Sequence, residues 1–177
     1  MGINVKKLSF MALFSVVALT IFILESFIPM PFPPGIKPGF ANIITLFLLF
    51  LGENWKVRDV FMVFLTRTLL AAFITGQGMS LIYSFTGGVS ALLVMAVIKK
   101  ILNDSSYSVI PIVSVTGALT HNLGQITTAA LLMQSKSVLV YLPALVAGGI
   151  ISGLLTGFAV WFIFKAHPKF INYIKNP

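Results

Sequence analysis

Cysteine is absent from this 177-residue chain, so disulfides, thiol nucleophiles and cysteine-ligated metal clusters are excluded at once. Acid is scarce as well: four Asp and Glu and two His leave little from which to assemble any metal centre, and none is expected. Charged residues make up 9% of the chain, against roughly 25% in soluble domains, while hydrophobic residues make up 58%. Such a chain cannot cover its apolar surface in water, and it reads as an integral membrane protein. A Gly-rich phosphate loop ending in Lys-Ser/Thr is also missing, so the chain cannot itself drive transport with ATP. One intramembrane acid is thin for a proton- or sodium-coupled carrier, and no matching pair of broken helices is visible.

What is present is a series of apolar runs. Six have helical, membrane-grade character, at 8–28, 40–52, 57–75, 79–98, 109–133 and 138–164, and together they read as one transmembrane domain over 1–177. The predicted fold is therefore an all-α, six-helix membrane bundle. The second run is short, as suits a helix tucked against others. Lys6 and Lys7 precede an apolar run of about twenty residues with no small-x-small cleavage site after it, which reads as a retained first helix rather than a signal peptide. The formal charge of +8 would point to nucleic acid in a soluble domain, but here the basic residues sit in short loops and report orientation instead. Lys6, Lys7, Lys56, Arg58, Lys99, Lys100, Lys165, Lys169 and Lys175 fall on one side and Lys37 and Lys136 on the other, which predicts cytoplasmic termini and no nucleic-acid partner.

The stretch Pro29–Asn42, PMPFPPGIKPGFAN, interrupts these runs on the outer side. Prolines that donate no backbone hydrogen bond and glycines that open positive φ keep both helix and strand out of it. Pro33, Pro34, Gly35 and Gly39 make it a candidate gate, with an inert surface turn as the alternative.

Two polar groupings lie at membrane depth. Arg67 falls within the third run and Glu25 near the outer end of the first; they are either a helix-fastening ion pair or part of a binding cavity. The fifth run carries Thr120-His121-Asn122-Leu123-Gly124-Gln125, where His121 and Gln125 share a face and Asn122 lies about 100° round. These groups are either interhelical hydrogen-bonding glue or a pocket to which Asn42, Gln77 and Lys37 also contribute. The cationic balance of Arg67 and Lys37 against Glu25 favours an anionic head group, and Phe22, Phe27, Phe32, Phe40 and Phe73 are available to enclose a partly apolar body. In the sixth run, Gly149, Gly153 and Gly157 form a small-residue ridge for close helix packing. Ser9, Ala12, Ser15 and Ala18 give the first run a small-residue stripe, and His167–Pro177 reads as a basic tail on the inner leaflet.

The segments ESFIPMPFPPGIKPGFANIITLFLLFLG (Glu25–Gly52), TRTLLAAFITG (Thr66–Gly76), SFTGGVSALLVMAVIKK (Ser84–Lys100) and GALTHNLGQITTAALL (Gly117–Leu132) resemble the Gx transporter family, many of whose members carry the name heptaprenyl diphosphate synthase component I. That family in turn resembles the S components of energy-coupling factor (ECF) importers. The resemblance implies a six-helix subunit of a prokaryotic plasma membrane that takes a small molecule from outside. It further implies docking on a membrane scaffold subunit coupled to two ATPases, which use the ATP, with no cofactor in this chain. It also implies a gating role for the first outer loop and a docking role for Ala12, Ser15 and Ala18, although the small residues here recur every three positions rather than four. An enzyme or enzyme subunit of prenyl diphosphate metabolism is the alternative. Such an enzyme holds diphosphate through Mg²⁺ on clustered aspartates, whereas Asp59 and Asp104 are the chain's two and lie far apart in sequence. An isoprenoid- or quinone-related cargo remains compatible with the name.

Overall fold

The computed structural model describes residues 4–25, 27, 39–52, 54–76, 78–102 and 107–177, and these contain helices and no strand. In chain order the helices are α1 (Val5–Glu25), α2 (Asn42–Phe50), α3 (Val57–Thr75), α4 (Gly78–Leu102), α5 (Ile110–Leu132), α6 (Leu142–Ala166) and α7 (Pro168–Lys175), with a 3-10 segment at Lys136–Tyr141 leading into α6. Local chemistry accounts for many of their ends. Asp59, in the first turn of α3, accepts the Lys56 backbone N–H at 2.9 Å, and Gly76 closes the same helix in a left-handed conformation at φ +65°. Prolines stand in the first turns of α5, α6 and α7, where a missing N–H costs least. Lys99 and Lys100 occupy the last turn of α4, facing the negative end of its dipole.

Three segments are long and apolar enough to cross a bilayer, Val5–Glu25, Leu81–Leu102 and Lys136–Ala166, which is the mark of a multi-pass membrane protein. The sequence predicted six such crossings. At 9 residues, α2 spans about 14 Å, half a bilayer core. α3 and α5 have the length, at 19 and 23 residues, but the first carries Arg58, Asp59 and Arg67 and the second His121, Asn122 and Gln125, which lower their apolar character.

α5 is the central element, packed between α4 and α6. The Gly149–Gly153–Gly157 ridge lies on α5: a Cβ at Gly153 would stand 2.7 Å from Val115 Cα, and one at Gly157 2.7 Å from Pro111 Cα. On the opposite flank a Cβ at Gly124 would meet Gly87 Cα at 3.0 Å. Backbones this close leave no room for a side chain, so the glycines set the helix spacing.

The main core cluster lies toward the end that carries the chain termini. Phe14, Phe47, Trp55 and Phe164 pack ring on ring there, and α2 buries Ile44 and every residue from Leu46 to Leu51 among them. The basic tail is helical and packed. Residues 168–175 form α7, whose Ile171 and Ile174 are buried in this cluster, and Trp55 Nε1 donates to the Ile174 carbonyl at 3.1 Å. Asn4 and Lys6 donate to the carbonyls of Pro177 and Asn176, and Lys7 pairs with Asp59, so both termini and the 54–59 turn meet at one basic end. Along the small-residue stripe on α1, Ala12 is exposed and Ser15 and Ala18 are buried, with Ala12 and Ser15 lining a groove between α1 and α3.

Candidate functional site

At the opposite end from the termini, α1 and α2 are joined through a carboxylate. Glu25 Oε1 accepts the backbone N–H groups of Gly39 and Phe40, the latter at 3.2 Å, just ahead of the first turn of α2. A negative group there also complements the helix dipole. Gly39 has φ +86°, a conformation that costs glycine nothing, and a Cβ on it would stand 3.0 Å from His121 Cδ2. The glycine is thus required both by its backbone conformation and by the imidazole lying against it.

Asn42 opens α2 and ties three helices together. Its Oδ1 accepts from Arg67 Nη2 on α3 at 3.3 Å, and its Nδ2 lies 3.1 Å from His121 Nδ1 on α5. The proton positions follow from what each group can do. A guanidinium only donates, so the amide atom facing it is the oxygen; Nδ2 then faces the ring and must donate, which leaves His121 Nδ1 as acceptor and puts the ring proton on Nε2. Arg67 therefore fixes the tautomer of His121 through Asn42.

Arg67 is 2% exposed and sits between aromatic faces, its guanidinium carbon 5.2 Å from the Phe64 ring centre and 5.7 Å from that of Phe22. Cation–π contact offsets part of the cost of holding a charge there. Its Nε has no hydrogen-bond partner among the described residues. The direct Glu25–Arg67 ion pair does not form: the ion pair among the described residues is Lys7–Asp59, and Glu25 is engaged with the Gly39 and Phe40 amides while attracting Arg67 at longer range.

The α5 polar run divides. His121 and Gln125 face α4 and the Asn42 side, with Gln125 Cγ 2.9 Å from where a Gly87 Cβ would be. Asn122 turns instead toward α6, donating to the Leu145 carbonyl at 2.7 Å next to Gly149, and so fastens two helices. Deeper between the helices, a cavity of about 10 Å³ is lined by Gly39, Asn42, Leu46, Met95, Ser114 and Thr156 among others, with room for about one water. Sequence reasoning passed over Ser114, whose hydroxyl lies 2.8 Å from that of Thr156, and Phe64 beside Arg67. The signal for Ser114 was its place seven residues before His121 on the same helical face.

Arg67, Asn42, His121 and Glu25 are thus brought together around Gly39, with Gln125 one turn along. Asn122 is placed elsewhere. Lys37, Gln77, Pro33, Pro34 and Gly35 lie outside the described residues. Of the phenylalanines expected to enclose a ligand, Phe22 is buried at the site, while Phe27 and Phe73 are 78% and 89% exposed and face outward. No three His, Asp or Glu side chains among the described residues converge as a metal would require. The Mg²⁺ site of a prenyl diphosphate synthase does not fit these residues.

A helical membrane protein with a buried, cationic, hydrogen-bonding interior is the class these features define. Residues 14–163 match the family model for heptaprenyl diphosphate synthase component I, and the chain belongs to that family. No curated protein and no solved structure matches it.

Proposed function

We propose that this chain is the substrate-binding membrane subunit of an ATP-driven importer of the ECF type. On this reading six helices cross the membrane with both termini in the cytoplasm, and the Gly39 end faces outward. It takes up a small, anionic, partly apolar molecule, an isoprenoid- or quinone-related acid being one candidate. A scaffold subunit and two ATPases supply the energy, and the chain carries no cofactor and performs no catalysis. The observation that carries this is Arg67: a guanidinium at 2% exposure that spends one N–H on a neutral amide and keeps its Nε–H unspent among the described residues. A buried charge of this kind is costly unless an anion answers it. The Gln125 amide adds an uncharged donor one helical turn further along α5. The family name points to prenyl diphosphate chemistry, but these residues offer donors to an anion rather than clustered carboxylates to a cation.

The test is binding and uptake measured separately. Small molecules released from the purified chain are identified by mass spectrometry, and binding of that compound should persist without the ATPases whereas uptake in cells should require them. Arg67→Ala should weaken binding by about 2–5 kcal/mol, and Arg67→Lys should weaken it less, because an ammonium cannot grip two oxygens at once. Uptake indifferent to ATPase activity, or turnover of a prenyl diphosphate by the chain alone, would replace this reading with the enzymatic one.

A further inference from the structure

Gln125 is the most deeply buried polar side chain of the site, at 0% exposure, and neither its Oε1 nor its Nε2 has a hydrogen-bond partner among the described residues. This does not arise from apolar surroundings. Thr128 and Thr86 lie on the same α4–α5 contact, but their hydroxyls bond one another at 2.9 Å and also the Gly124, Ile82 and Tyr83 carbonyls. Ser90 Oγ likewise has its one proton within reach of the carbonyls of Thr86, Gly87 and Thr120. These three hydroxyls are committed to the backbone or to one another, while both atoms of the glutamine amide are left over. Gln125 is not among the residues that line the small cavity either. A buried amide with two unspent bonds costs stability in the ligand-free fold, so its presence calls for a partner that arrives later.

We propose that Gln125 selects the ligand: the site accepts an acid that also carries a planar amide edge, a donor beside an acceptor, as in a lactam, imide or primary amide. This rests on the anion-capture reading of Arg67 and adds the second contact. A carboxamide presents N–H and C=O side by side, and its complement is another amide edge, which satisfies both atoms at once. Gln125 follows His121 by one helical turn, about 6 Å, so an edge and an anionic group on one small ring can reach Gln125 and the His121–Arg67 region together. A site built to make such bonds discriminates strongly against an analogue lacking them, because its own buried groups stay unpaired.

The experiment uses the full purified chain in detergent, as wild type, Gln125→Leu, Gln125→Asn and Arg67→Gln. The probes are two matched pairs of acids, pyroglutamate against cyclopentanecarboxylate and orotate against benzoate, each read by the shift in melting temperature. The ligand-free Gln125→Leu protein should melt a few degrees higher than wild type, since an unsatisfied amide is removed; a lower melting temperature would mean the amide already contributes to the fold, and overturns the proposal. Wild type should favour the amide-bearing member of a pair by at least about tenfold, Gln125→Leu should erase that preference, and Gln125→Asn should restore part of it. Equal binding within both pairs, abolished by Arg67→Gln, would leave anion capture standing and remove Gln125 from recognition. Amide-dependent binding unaffected by Arg67→Gln would keep Gln125 and overturn anion capture instead.

Discussion

Asn42 and His121, 79 residues apart in the chain, meet at 3.1 Å, and the direction of their hydrogen bond is dictated by a third residue, because the other end of the Asn42 amide is taken by Arg67. One neutral side chain thereby orders a cation and an imidazole that would otherwise repel if both were charged. The relay runs from α3 through the first residue of α2 to α5, and it ends against Gly39, just ahead of α2.

Removing the relay should be felt before any ligand is added. Asn42→Ala leaves Arg67 and His121 without their shared partner, and thermal unfolding in detergent should report a loss of about 1–3 kcal/mol. Asn42→Asp should behave differently. Its carboxylate can accept from Arg67 but cannot donate to His121 Nδ1, so the ring must change its tautomer, which nitrogen-15 chemical shifts of the imidazole would register. An unchanged melting temperature for Asn42→Ala would show that the relay contributes nothing to the fold.

Gly39→Ala introduces two faults. The left-handed backbone costs an L-residue about 1–2 kcal/mol, and the new methyl group stands 3.0 Å from the His121 ring. Binding should weaken along with stability, and trimming the ring with His121→Ala should relieve the clash but not the backbone cost. Full rescue by His121→Ala would show that the conformation of Gly39 is unimportant.

At the basic end, Trp55→Phe keeps an aromatic ring but deletes the bond from Nε1 to the Ile174 carbonyl. The expected loss is about 1 kcal/mol, and limited proteolysis should release α7 faster than from wild type. Deleting 167–177 should cost more, since it uncovers the core face that Ile171 and Ile174 bury. Equal proteolysis rates would mean that α7 is held by its apolar face alone.

Orientation is open to chemical labelling. Single cysteines replacing the exposed Lys136, Lys56 and Lys100 in the cysteine-free chain give an unambiguous readout. An impermeant maleimide added to intact cells should modify position 136 and spare 56 and 100. The reverse pattern would turn the Arg67 site toward the cytoplasm and end the import reading.

Much of this molecule was legible in its composition and periodicity. Scarce charge and long apolar runs required a lipid environment, and Gly149, Gly153 and Gly157 foretold a close helix contact because small residues act through backbone approach whatever the partner. The helices found at α1, α3, α4, α5 and α6 lie within a few residues of the apolar runs, since helix formation over such lengths is decided by neighbours in sequence. The Arg67–Asn42–His121 grouping was visible as a set of polar residues at similar depth on predicted helices.

Which of those polar groups met, and how, belonged to the tertiary structure. Glu25 and Arg67 read as natural partners by charge, yet Glu25 holds the Gly39 and Phe40 amides and Arg67 holds Asn42. Asn122, one residue from His121, faces a different helix, and Ser15 and Ala18 are enclosed by their own chain. The apparent tail became α7 because its two isoleucines found a core surface beside Trp55, 119 positions from Ile174 in the chain. Depth and helicity follow from hydropathy summed along the chain, which is a local property. Pairing depends on helix rotation and on distances of closest approach, and these are settled only when side chains and glycines from separate helices compete for the same interior space.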